Sequence, residues 1–65
     1  MQEYQERVIV EKQELAKKVI ALFNFLCGEV INSLHPDEQV RLRQQYKYMT
    51  LYLDVLSERI ANFGE

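Results

Sequence analysis

One cysteine, one histidine, one proline, two glycines and no tryptophan occur in 65 residues. Cys27 has no partner in its own chain, so no internal disulfide braces the fold. With one further soft ligand, His35, it cannot complete a four-ligand structural zinc site, and no cofactor or metal is expected. Pro36 is the sole proline, and no glycine precedes Gly28, so nothing interrupts a helix over the first 27 residues. There is no glycine-rich phosphate loop. A basic excess is missing too: eight Lys and Arg stand against ten Asp and Glu, a net charge of −2. That argues against long nucleic acid as a partner, although a small anion needs only a few placed cations. The longest apolar run, Val19 to Cys27, is broken by Asn24. It falls short of the roughly 20 apolar residues of a membrane span, so no membrane partner is expected. The opening residues MQEYQERV are polar and acidic, unlike a signal peptide. An unpaired cysteine fits a reducing cytoplasm.

What is present is helical periodicity. Leu42, Tyr46, Met49, Leu53, Leu56, Ile60 and Phe63 recur at alternating spacings of four and three, the seam of a helix packed on another helix. The segment Tyr48–Leu53 is rich in strand formers, but the sustained repeat and the lack of a turn signal favour a helix. Upstream, Tyr4, Val8, Lys12, Leu15, Val19, Leu22 and Leu26 form a second seam, with the stem of Lys12 able to snorkel. Beside it runs a further stripe of Ile9, Ala16, Ile20, Phe23, Cys27 and Val30 or Ile31. Glu3 with Arg7, Arg7 with Glu11 and Glu14 with Lys18 stand at ion-pair spacing, each adding about 0.2–0.5 kcal/mol. Since Val30, Ile31 and Leu34 prolong the apolar pattern past Gly28, the first helix is expected over residues 2–32. Residues 33–35 form the turn. Pro36 opens a second helix over 36–62, with His35 or Ser33 as N-cap and Gly64 as a stop.

The expected fold is therefore all-α: one antiparallel two-helix hairpin. A chain this short buries only about 60% of its unfolded surface. Without disulfide or metal, oligomerisation is the remaining source of stability. The second stripe of the first helix cannot be covered by its own hairpin. The chain is thus expected to assemble into a homo-oligomeric helical bundle.

Chemistry is sparse. Glu11 with Glu14, or Asp54 with Glu58, are carboxylates of a solvated helix surface, and His35 beside Pro36 reads as a cap. No catalytic residues are expected and the chain is not read as an enzyme. The better lead is a face beside the Leu42–Phe63 seam: Gln45, Tyr48, Tyr52, Val55 and Arg59. Tyrosine offers a ring for stacking and a hydroxyl for hydrogen bonding, and arginine a fork that fits phosphate. Either these residues complete an oligomer interface, where tyrosine is enriched, or they line an inter-subunit pocket for a nucleotide-sized anion. Tyr48, Tyr52, Arg59 and Gln45 are the first ligand candidates. Tyr4, Arg7 and Lys18, with Tyr4 and Arg7 near the open end of the hairpin, are the others.

The segment YQERVIVEKQEL (Tyr4–Leu15), the Leu-His-Pro-Asp-Glu turn, and Gln45, Met49, Tyr52, Leu56, Arg59, Ile60 and Phe63 resemble a family of very small phage proteins, the group related to a crAss-like phage small protein. Its pattern runs YQxRVxxEKxEL, a proline-containing turn, then QxxxMxxYxxxLxxRIxxF. Cys27-Gly28 and His35-Pro36 depart from that pattern at the turn. The resemblance implies a phage-encoded hairpin acting in the host bacterial cytoplasm. In size and design it is similar to phage sponge proteins that counter CBASS or Thoeris immunity, helical oligomers that hold a cyclic nucleotide or ADP-ribose-derived signal without cleaving it. The competing expectation is a hairpin whose exposed stripe binds a host or phage protein.

Overall fold

The computed structural model describes residues 1–64 as a helical hairpin measuring 47 × 14 × 14 Å. Helix α1 spans Glu3–Cys27, a short 3₁₀ turn spans Val30–Ser33, and helix α2 spans Pro36–Ala61. No strand occurs among the described residues, and Tyr48–Leu53 lies wholly within α2.

The two seams meet as their spacing predicts. Val8, Leu15 and Val19 of α1 are buried against Leu56 of α2, with Tyr46, Met49, Leu53, Ile60 and Phe63 packed around them. Lys12 is half-buried in the same row. One position is corrected. Tyr4 does not enter the seam; it is 58% exposed. Strict alternation of three and four places Gln5 there instead, and Gln5 is buried. A buried amide needs partners for its oxygen and nitrogen. The Gln2 backbone N–H donates to Oε1 at 2.8 Å, and Nε2 donates to the Phe63 carbonyl at 3.2 Å. Gln5 therefore caps the start of α1 and ties it to the end of α2. Of the three expected ion pairs, Glu3–Arg7 forms; the other two do not appear among the described residues.

The first helix also ends earlier than periodicity suggests, at Cys27 and not near residue 32. Continued to Asn32, it would lay Val30 on the seam, four residues beyond Leu26, and turn Ile31 outward. The break reverses this: Ile31 is 1% exposed and closes the end of the core, while Val30 is 61% exposed. Isoleucine buries one methylene more than valine, worth about 0.8 kcal/mol. Gly28 sits in extended backbone, φ −83° and ψ −174°. A Cβ there would meet only the Asn24 and Phe25 carbonyl oxygens at an ordinary 3.5 Å. The stop coincides with the burial of Ile31 and is not imposed by a steric demand for glycine.

Helix α2 is capped by His35. Its Nδ1 accepts from the Asp37 backbone N–H at 3.1 Å. Ser33, the other candidate, instead donates from Oγ to the Val30 carbonyl at 2.6 Å. Asp37 and Glu38 occupy the first turn, where carboxylates complement the helix dipole, and Glu38 pairs with Arg41 at 2.8 Å. Replacing His35 with Ala is expected to lower stability by about 1 kcal/mol, whereas Asp or Ser at the same position keeps it. Thermal melts followed by circular dichroism read this; equal melting temperatures for His35→Ala and the parent would show the cap to be idle.

Candidate functional site

The position of every ligand candidate follows from one rule of helix geometry. A residue immediately before a core position is turned about 100° from it, always in the same sense. Tyr4, Arg7 and Lys18 immediately precede Gln5, Val8 and Val19. Gln45, Tyr48, Tyr52 and Arg59 immediately precede Tyr46, Met49, Leu53 and Ile60. Because α1 and α2 run antiparallel, the preceding residues of both helices turn to one flank of the hairpin. Contact confirms the sense. The Tyr4 ring meets Phe63 edge-on on this flank, with centroids 6.2 Å apart, and Phe23 meets Tyr46 on the opposite flank at 6.0 Å.

The same two ring pairs set the register. Counting one residue up α1 for each one down α2, Lys18 lies level with the span between Met49 and Leu51. It thus stands between Tyr48 and Tyr52 along the axis. Arg59 lies level with the span from Val8 to Val10, at the height of Arg7 and Glu11. All seven candidates share a flank, ordered along it as Tyr4, Arg7 with Arg59, Tyr52, Lys18, Tyr48 and Gln45.

Their environments differ. Tyr48 is 63% exposed and Tyr52 45%, and Leu51 and Val55 extend an apolar surface around them. Gln45 is exposed, its Nε2 lying 3.7 Å from the Met49 sulfur. Arg59 is exposed in the last turn of α2, where a cation also complements the helix dipole. Lys18 is exposed. Among the described residues neither Arg59 nor Lys18 makes an ion pair. Arg7 is committed to Glu3. It lines a shallow, open recess of about 370 Å³ with Glu3, Glu6, Val10, Glu11 and Glu14. Four carboxylates against one paired arginine make that recess hostile to phosphate. The tyrosines of α2 lie outside it.

A family model described as Sequestin matches residues 2–62. The chain belongs to the Sequestin family. The match runs through both helices and the link between them, so it includes all seven ligand candidates. No curated protein and no solved structure matches the chain.

This flank of the Sequestin chain offers groups suited to stacking and to holding an anion. Two aromatic rings one helical turn apart offer stacking surface, with an unpaired cation level between them and another about two turns toward the open end. Among the described residues no group of His, Cys, Asp and Glu is arranged to hold a metal ion. Leu51 lies off both stripes of the sequence, yet it belongs to the tyrosine surface. Gln5 belongs to the buried seam and not to this flank; heptad counting back from Val8 finds it.

Proposed function

We propose that this chain is a phage anti-defence protein that binds and sequesters a nucleotide-derived immune signal, of the cyclic oligonucleotide or cyclic ADP-ribose type, without cleaving it. It does so as a homo-oligomer in the host bacterial cytoplasm. The observation that carries the reading is the convergence of Tyr48, Tyr52, Lys18 and Arg59, contributed by two helices, on one flank. Their chemistry matches such a ligand: rings for its bases, cations for its phosphates. Membership of the Sequestin family supports it, since the name is compatible with sequestering a ligand.

Titration calorimetry against cyclic di- and trinucleotides and cyclic ADP-ribose isomers tests the reading. Binding to at least one member is expected, with the ligand recovered intact by chromatography after heat denaturation. No heat with any member overturns sequestration, and a converted ligand overturns the absence of catalysis. A second reading, docking of a host or phage protein, draws on the exposure of Ile20 and Phe23, 59% and 48%. A stoichiometric partner lost on mutation of Ile9, Ile20 or Phe23 would favour it.

A further inference from the structure

The flank opposite the tyrosines carries a second seam. Ile9, Gln13, Ala16, Ile20, Phe23 and Cys27 each immediately follow a core position of α1, at spacings of four and three. That is the alternation of the main seam, displaced by one residue. It is the signature of a helix that packs on two neighbours, yet the hairpin supplies only one. Ile20, Phe23 and Cys27 lie exposed.

Charge distinguishes the two flanks of α1. The second seam contains no charged residue over its length. The tyrosine flank holds Arg7, Glu11, Glu14 and Lys18 on α1 and Arg59 on α2, whose burial would require desolvation. On α2 the same flank carries Arg43, Lys47 and Asp54 as well as the small neutral Thr50 and Ser57, each immediately after a core position, so the uncharged strip belongs to α1 alone. Interface centres are depleted of charge in this way.

Area points to a large occupant. The chain exposes 5068 Å², roughly 700 Å² more than the ~4,400 Å² expected of a compact monomer of this mass. A standard interface removes about 800 Å² from each partner, so one more hairpin accounts for the excess. The seam is also self-complementary about its midpoint. Set antiparallel to a second copy, it opposes Ala16 to Ile20, Gln13 to Phe23 and Ile9 to Cys27. Small then meets large at the centre, as close packing requires. A parallel pairing would oppose Ala16 to Ala16 and Phe23 to Phe23, leaving a gap beside a clash.

We propose that a second copy of this chain docks antiparallel along the Ile9–Ala16–Ile20–Phe23 seam of α1, giving a four-helix dimer whose tyrosine flanks both face outward. The proposal rests on the oligomeric part of the functional reading and not on its ligand.

Sedimentation equilibrium and light scattering on the full chain test it. The parent is expected to be a dimer at micromolar concentration. Ile20→Glu and Phe23→Glu are expected to weaken dimerisation at least tenfold while the helical circular dichroism signal persists, because both side chains are about half exposed in the hairpin, Ile20 being the cleaner of the two since Phe23 also touches Tyr46. Tyr52→Glu should stay dimeric. A monomeric parent, a dimeric Ile20→Glu or a monomeric Tyr52→Glu each overturns the proposed face. Oxidation tests orientation without relying on destabilising variants. Ile9→Cys, paired with the native Cys27 of the second copy, should form a covalent dimer faster than the parent, which has Cys27 alone. The reverse order overturns the antiparallel arrangement. Loss of ligand binding with the dimer intact would overturn the functional reading and leave this interface standing.

Discussion

Leu56→Ala is expected to abolish the cooperative thermal transition at low protein concentration. Leu56 is the most deeply buried side chain of α2, at 0% exposure, and it packs with Val8, Leu15 and Val19 in one cluster. Removing three buried carbons costs about 2–5 kcal/mol, the upper part reached where the surroundings cannot collapse into the cavity. The neighbours here are carried by two helices, whose backbones limit collapse. A chain of this length has only roughly 3–10 kcal/mol in total, at 0.05–0.15 kcal/mol per residue. A single truncation can therefore consume most of it. The same change at Leu51, which is 51% exposed, is expected to cost well under half as much. Melts of both variants followed by far-UV circular dichroism make the comparison. A Leu56→Ala melting temperature close to that of Leu51→Ala would mean that the core lies elsewhere.

Tyr48→Ala combined with Tyr52→Ala is expected to weaken binding of the nucleotide ligand about a hundredfold or more. Stacking of a base on an aromatic ring contributes about 1–3 kcal/mol, and two rings are removed. The rings lie on exposed surface outside the core cluster, so the variant should fold and assemble like the parent. Phenylalanine at both positions keeps the stacking surface and should retain most of the affinity, losing only hydroxyl hydrogen bonds of about 0.5–1.5 kcal/mol each. Calorimetry with whichever ligand binds the parent separates these outcomes. Undiminished affinity in the double alanine variant would remove the tyrosine flank from the site and with it the central premise of the functional proposal.

Much of the fold is legible along the chain because helices advertise their buried face by spacing alone. From Val8 to Leu26, with Lys12 the one exception, and from Leu42 to Phe63, apolar residues recur every three or four positions, and the structure packs those faces together. The helix start at Pro36 was equally plain, since His35, Pro36, Asp37 and Glu38 each suit a first turn for a separate local reason. The end of α1 was not. Val30 and Ile31 both fit a continuing pattern, and the choice between them depends on the shape of the space left at the closed end of the hairpin, which periodicity does not encode. Tyr4 and Gln5 posed the same difficulty at the open end. An aromatic ring looks like core, but the buried position there is next to the Phe63 carbonyl and the Gln2 N–H, where an amide can be satisfied and a ring cannot.

The candidate face was legible only in halves. Gln45, Tyr48, Tyr52 and Arg59 form a stripe readable on α2 alone. That Tyr4, Arg7 and Lys18 of α1 lie on the same flank depends on the handedness and register of the antiparallel pairing, and the aromatic contacts of Tyr4 with Phe63 and Phe23 with Tyr46 supply both. By itself, then, the amino-acid sequence determined two amphipathic helices, their core seams and the cap between them, because each rests on interactions within a few residues. The tertiary structure decided where α1 stops, which polar side chain is buried, and which charges stand beside the tyrosines, because each depends on groups brought together from opposite ends of the chain.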